Sequence, residues 1–321
     1  MRLRLVPQET NIDFFRIWKV TFGASVVAMV LSLVAWGVMG LNFGIDFLGG
    51  TTIRTESAQA VDVGAYRDAI AALGLGDVSI SEVFDPTFAA DQNVAQVRIQ
   101  AQEGAESVTP ETIRAVEAAL QGVDPSITFP SVESVGPKVS GELIQTAFLA
   151  VGAALAAILV YIWLRFEWQF SVGAIAALVH DVVLTIGIFS VLQIRFDLAT
   201  IAAILTIIGY SINDTVVIFD RLRENLIKYK KTPLIEVMNR SVNETLSRTL
   251  MTSGTTLIAL VALLILGGDV IRGFVFAITW GVIVGTYSSV YVAKNVVLML
   301  GVDRDPKSGS DAGTTFADVD A

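Results

Sequence analysis

Asp214 sits inside a long apolar stretch, and its distance from the nearest cations defines the chemistry open to it. It stands seven residues before Arg221, which at the helical rise places it ~10 Å inside the end of that stretch. Arg248 opens the next apolar stretch, four residues after Glu244 and ~6 Å in. If the two stretches are antiparallel helices, these depths allow a pair. The pull of an arginine and the cost of burial act on a carboxyl in opposite senses, so such a group exchanges a proton as its partner comes and goes. The same two residues also read as a static ion pair that fixes helix packing. Ionisable side chains in an apolar segment are costly, which makes them functional candidates by default.

A second polar pair, His180 and Asp181, falls in the preceding apolar stretch, with Asp181 eleven residues (~16 Å) past Phe170. Consecutive helix positions diverge by ~100°, so the two need not touch. His180, the single histidine, reads from its context as a group that hydrogen-bonds a neighbouring helix, and Asp181 as one that joins Asp214 and Arg248 across a bundle. Tyr210 and Ser211 lie one turn before Asp214, while Thr252 and Thr255 share the face of Arg248. A proton relay uses such hydroxyls, although Ser and Thr are also common helix contacts in membranes. Gly281, Gly285 and Ser289 form a small-xxx-small stripe, a packing signal. Gly44, Asp46, Gly49 and Gly50 form a glycine-rich turn just past the first apolar stretch, where Asp46 reads as a turn cap.

These residues need elements to hold them. The chain of 321 residues is 53% hydrophobic and 17% charged, a balance that points to lipid as the main solvent. Six stretches, near 17–40, 143–164, 170–192, 198–219, 246–267 and 273–294, approach the ~20 residues a bilayer span requires. The first reads as an uncleaved anchor. Arg2, Arg4, Arg16 and Lys19 precede it; Arg221, Arg223, Lys228, Lys230, Lys231 and Arg240 lie in the basic segment 220–245; Lys294, Arg304 and Lys307 flank or follow the last span. With six spans all of these share one side, so the positive-inside bias puts residues 1–16 and the tail 301–321 in the cytoplasm. The basic segment is then expected to lie against anionic lipid. The tail is Gly/Ser/Asp-rich and reads as disordered.

Residues 41–141 are then extracytoplasmic. Between positions 41 and 140 there are 14 acidic against 5 basic residues. Periodicity and caps give the order β-α-β-β-α-β: strands near 51–56, 78–84, 94–101 and 126–135, and helices near 62–73 and 109–120. Asp62 and Thr109 stand as N-caps and Pro110 at the first helical position. That is a split βαβ, ferredoxin-like α+β domain. The net charge of −9 without a basic patch argues against nucleic-acid binding. Without cysteine there is neither a disulfide framework nor a thiol nucleophile. No phosphate-binding, dinucleotide, zinc-protease or nucleophile-elbow motif occurs, so the chain is expected to be a non-enzyme without cofactor or metal. Work done by it draws on an ion gradient or a partner.

The glycine turn from Gly44 to Thr51, the His180-Asp181 pair, the run from Ile208 through Asn213 and Asp214 to Val217, and Ser247-Arg248-Thr249 with Thr252, Ser253, Thr255 and Thr256 together resemble the SecF family, over about 17–300. The resemblance implies a six-span half similar to the repeat of RND transporters, with SecD as the other half. It implies association with the SecYEG channel and with YajC and YidC, contact with a translocating precursor protein, and assistance to export across the bacterial inner membrane driven by the proton-motive force. Asp214 and Arg248 match the membrane residues the family links to proton flow; Asp181 and His180 are added to them as relay candidates. The alternatives are an RND-type half-transporter for a small molecule or lipid, and a non-energised scaffold.

Overall fold

The computed structural model describes residues 10–76, 78–83, 88, 92–100 and 108–302. Arg2, Arg4, Arg304, Lys307 and most of the 301–321 tail lie outside these residues. Six helices are long and apolar enough to cross a membrane, and a sheet domain is inserted after the first.

Helix α1 (Trp18–Met39) carries no charge beyond Lys19 and ends at Gly40, whose φ of 67° suits glycine. A two-residue strand β1 (Asn42–Phe43), a short helix α2 (Ile45–Leu48) and Gly49 (φ 69°) lead into β2 (Gly50–Ser57). Then come α3 (Val63–Ala71), β3 (Val78–Val83), β4 (Asn93–Gln100), α4 (Pro110–Val123) and β5 (Thr128–Val135). The Asp62 side chain caps α3 through Ala65 N, and Thr109 caps α4 through Thr112 N. The strands lie in the order β3-β4-β2-β5 with every neighbouring pair antiparallel. Each βαβ unit is thus split by a strand of the other. Ala95, Val97 and Ile99 alternate into a core with Ile53, Tyr66, Ile70, Val116 and Leu120, the burial pattern of a sheet covered on one face.

One carboxylate ties the ends of this domain together. Asp124, just after α4, accepts hydrogen bonds from the Ser57 hydroxyl, from Ser126 Oγ at 2.8 Å and from Ser126 N at 2.9 Å. These donors, Ser57 first, hold its carboxyl below the usual carboxylate range. A depressed folded-state value contributes stability that is complete above the unfolded value and is lost as pH falls through the folded one. The domain is therefore expected to loosen in acid, and Asp124→Asn to flatten that dependence. Protease protection of the detergent-solubilised protein between pH 7 and about pH 3 checks this; equal acid sensitivity in both proteins would refute it.

The bundle continues with α5 (Pro137–Arg165), α6 (Trp168–Leu192), β6 (Arg195–Phe196), α7 (Leu198–Lys228), α8 (Leu234–Leu266) and α9 (Asp269–Ser288). A π-helical turn (Ser289–Ala293) joins α9 to α10 (Lys294–Leu300). The helices outrun the hydropathy windows. The fifth helix begins at Leu234, ahead of the span near 246, and the sixth runs past 294 to Leu300, because a helix does not stop where its polarity rises. α6, α7 and α9 form the buried centre, while α1 and α5 turn Val27, Leu31, Val38, Phe148, Trp163 and Leu164 outward. In lipid such exposure carries no hydrophobic cost.

Small residues set how closely α9 meets α7. A Cβ added to Gly281 would stand 2.2 Å from Ile207 Cγ1, and one on Gly285 3.1 Å from Ser211 Cβ; Ser289 Oγ meets Thr215 Oγ1 at 2.8 Å. Both helices advance four residues per contact, so the stripe is one continuous seam. Gly281→Leu is expected to push the helices apart and lower the amount of folded protein in the membrane, measured by protease-resistant yield. An unchanged yield would mean that α7 does not lie on this seam.

At the far end of the bundle, residues 10–15 strap across α8. Asn243 bonds Thr10 and Ile12, and Asn239 accepts from Phe14 N. Much of the adjoining basic segment is internally paired: Glu244 accepts from Arg221 at 2.6 Å, Asn225 at 2.8 Å and Arg240 at 3.1 Å.

Candidate functional site

Three helices converge on Asp181, which is fully buried on α6. Its Oδ2 accepts from Ser211 Oγ on α7 at 2.6 Å and from Ser288 Oγ on α9 at 2.8 Å. Its Oδ1 lies 2.9 Å from Nδ1 of His180, so these sequence neighbours do touch. His180 is fully buried and stacks on Tyr287, ring centroids 6.0 Å apart, and its Nε2 has no protein partner. Tyr287 in turn donates to Thr21 O at 2.9 Å, bringing α1 into the same network. Gly285 makes room for Ser211 in this network, since a Cβ there would stand 3.1 Å from Ser211 Cβ and 3.3 Å from its Oγ.

Asp214 lies one turn beyond Ser211 on α7 and is 3% exposed. Its setting is the reverse of that around Asp181. Oδ2 has no hydrogen-bond partner, and its polar neighbours are the side chains of Asn213 and Ser253. Ser253 Oγ on α8 shares a hydrogen bond with Thr286 Oγ1 on α9 at 2.7 Å and accepts from the Tyr210 hydroxyl at 3.3 Å. A chain of hydroxyls from three helices therefore runs beside an underbonded carboxyl. Hydroxyls both donate and accept, so they suit proton passage.

The expected pair of Asp214 with Arg248 does not form in the single chain. No ion pair joins them; Arg248 is exposed and acts on Asp214 only through space. Thr252 and Thr255 share its face, and that face points out of the bundle, where their hydroxyls donate to carbonyls of their own helix at 2.8–3.1 Å. The inward face of α8 carries Thr249 and Ser253 instead. Sequence spacing grouped Arg248 with Thr252 and Thr255 by the helical repeat, yet it could not say which face turns inward.

Asp46 also departs from expectation. It caps no local turn: its Oδ2 accepts from Leu198 N at 3.1 Å, at the start of α7. Gly44 packs against the same junction, its backbone N donating to Phe196 O at 2.8 Å, while Gly49 and Gly50 hold positive φ at the entry to β2. Sequence reasoning passed over Ser288 and Thr286, whose place beside the Gly281–Gly285–Ser289 stripe was the available signal. It also took Lys294 as a boundary charge. Lys294 is 1% exposed, with Nζ 3.8 Å from the Phe15 ring centroid and 5.2–5.3 Å from those of Phe14 and Tyr291.

The described residues hold no cluster of His, Asp or Glu suited to a metal. Comparison with known proteins agrees with a transport fold. The family profile described as "Protein export membrane protein SecD/SecF, C-terminal" matches residues 115–303, and the "SecD/SecF GG Motif" profile matches residues 34–61. A protein translocase subunit SecF of Cereibacter sphaeroides is 71% identical over all of this chain and 99% of its own length. One from Rhodobacter capsulatus is 62% identical, covering 98% of this chain and 97% of that protein. The crystal structure of SecDF, a translocon-associated membrane protein from Thermus thermophilus, superposes with a TM-score of 0.82 at 35% identity. That match covers 94% of this chain but 40% of the SecDF chain, so the sequence spans about two fifths of that longer protein. The glycine turn, the order of spans around the inserted sheet domain and the polar runs on α6, α7 and α8 all fall within these matches, and the chain belongs to the SecD/SecF family of protein-export membrane proteins.

Proposed function

We propose that the chain is a non-enzymatic subunit that works with a SecD partner beside the SecYEG channel and uses proton entry at Asp214 to drive late steps of precursor export. The observation that carries this reading is the contrast between two buried carboxyls one helix apart. Asp181 has its oxygens filled by three side chains, whereas Asp214 keeps an oxygen without a protein donor next to the Tyr210–Ser253–Thr286 hydroxyls. A buried polar atom without a partner costs free energy. Its retention at the centre of a bundle is expected of a group that changes state.

The outward face of α8 supports a SecD partner. Arg248, Thr252 and Thr255 lie among the exposed apolar residues Leu250, Met251 and Ile258. A guanidinium facing the bilayer is expensive. A second six-span half laid over this face would cover it and supply the groups that bring Arg248 to bear on Asp214. The YajC, YidC and precursor contacts implied by the resemblance are reached through that assembly.

Orientation follows from charge. α7 starts beside the sheet domain and ends in the basic segment holding Arg221, Arg223 and Lys228, so the segment and the domain lie at opposite ends of the bundle. The positive-inside bias then puts the basic end and the 10–15 strap in the cytoplasm and the sheet domain in the periplasm. Arg223 and Lys228 at this end suit anionic lipid headgroups. The decisive test is export of a secreted precursor into inside-out vesicles by protein carrying Asp214→Asn, with and without a proton gradient.

A further inference from the structure

Helix α7 carries Asp214 midway along its buried stretch, and its first residue, Leu198, is held by Asp46 of α2, 152 positions away in sequence. The first N–H groups of a helix have no partner within it. In α7 two of them are met by carboxylates of different origin. Asp197 caps locally, accepting from Thr200 N at 2.9 Å, and Asp46 accepts from Leu198 N at 3.1 Å. Negative charge at a helix N-terminus is favourable, so the Asp46 contact is both a hydrogen bond and a charge–dipole attraction.

The same junction is braced from several directions. β1 pairs in parallel with β6, Asn42 beside Arg195 and Phe43 beside Phe196. The rings of Phe43, Phe47 and Phe196 pack with centroids 5.5–5.9 Å apart. From the sheet domain, Arg98 on β4 donates to Phe43 O at 3.2 Å and to Asn42 Oδ1 at 3.4 Å, and Gln96 on β4 accepts from Arg195 Nη1 at 3.1 Å. β4 is also the strand paired along the whole of β2, which Gly49 and Gly50 connect to α2. Bonds thus run without a gap from the start of α7, through Asp46 and the β1–β6 ladder, into the middle of the sheet.

We propose that Asp46 is a positioning residue that locks the start of α7 to the sheet domain, so that a displacement of the helix bearing Asp214 is delivered to the domain as a rigid-body movement. This inference rests on the proton-driven reading above. Strands and helices joined by short backbone contacts transmit displacement because packed elements repack between discrete arrangements rather than deform. Asp46 has no part in proton passage here; it acts through Leu198.

The chain has no cysteine, so thiols introduced at 46 and 198 are the only ones it carries. Protein carrying Asp46→Cys, alone or with Leu198→Cys, is assembled with SecD and SecYEG in inside-out vesicles. Proton entry during export is followed with a pH-sensitive dye, and precursor export is followed by protease protection. With Asp46→Cys alone, the gradient-dependent increment of export is expected to fall about fivefold, the scale of a lost cap, while proton entry continues. In the double variant, oxidation is expected to restore the increment and reduction to remove it again. Asp46→Asn, which keeps an acceptor for Leu198 N, is expected to stay near the parent. A full increment in Asp46→Cys overturns the proposal. So does loss of proton entry together with export, or an oxidised double variant that stays defective. If Asp46→Cys fails to assemble by itself, the oxidised double variant still decides. Asp214→Asn, run alongside, separates the two ideas: an unchanged increment there removes the proton-driven reading itself, whereas its loss there with normal export in Asp46→Cys removes only the joint.

Discussion

Asp214→Asn is expected to abolish the gradient-dependent part of precursor export and to leave assembly with SecD intact. The substitution preserves shape and removes one property, the exchange of a proton. The structure makes the change easy to absorb locally. Oδ2 of Asp214 accepts no hydrogen bond, so an amide at that position deprives no donor of its acceptor. Fold and helix packing should therefore survive, because the Gly281, Gly285 and Ser289 seam does not involve this carboxyl. Export without a gradient should match the parent, and only the increment that the gradient adds should vanish. Co-purification with SecD and protease protection of the sheet domain are the controls. An increment unchanged by the substitution would leave the chain as a scaffold, and loss of SecD from the purified complex would mean that Asp214 serves packing.

The architecture was legible in the sequence where physics offers a repeat or a punctuation mark. Six apolar stretches have about the length a bilayer span requires, and each coincides with a helix long and apolar enough to cross a membrane. In the sheet domain the alternation around Ala95, Val97 and Ile99 shows one covered face, and Asp62, Thr109 and Pro110 mark helix starts by capping chemistry. What stayed hidden has a common cause. In water, a helix advertises its buried face by apolarity. In lipid, the outward face is as apolar as the inward one, so hydropathy carries no sign. That is why Arg248, Thr252 and Thr255 were grouped with Asp214 although they turn outward, and why Thr286 and Ser288 were passed over. Lys294 was misplaced for a related reason: a lysine near the end of a span reads as a boundary marker, and only the fold reveals Phe14, Phe15 and Tyr291 around it. Asp46 was out of reach for another reason. Its partner, Leu198, is distant in sequence and contributes only a backbone N–H, which no side-chain pattern records.

Asp181→Ala is expected to behave in the opposite way to Asp214→Asn, failing at assembly rather than at coupling. Ser211 and Ser288 donate to Asp181, and His180 bonds it through Nδ1, all within a region shielded from water. Removing the carboxylate leaves Ser211 Oγ and His180 Nδ1 without their partner, each costing about 1–3 kcal/mol, while Ser288 keeps only its bond to Gly285 O. The sum is a large part of the stability of many proteins, which is about 5–15 kcal/mol. The loss also reaches beyond one residue. Ser211 and Ser288 stand on α7 and α9 at the seam governed by Gly285, and His180 leans on Tyr287, which holds α1. Without the acceptor these helices lose the polar contacts that fix their rotation about the seam, while the apolar contacts that remain fix it only weakly. Protease-resistant protein in the membrane should fall steeply for Asp181→Ala. Asp181→Asn keeps one carbonyl oxygen for Ser211 or Ser288 and should recover part of the yield. If Asp181→Ala accumulates normally and loses only the gradient-dependent increment, Asp181 belongs with Asp214 in the proton path, and the division between a clasped carboxylate and a free one fails. The prediction therefore tests more than a residue: it asks whether the bonding of a carboxyl within the bundle separates the part that holds the helices from the part that works.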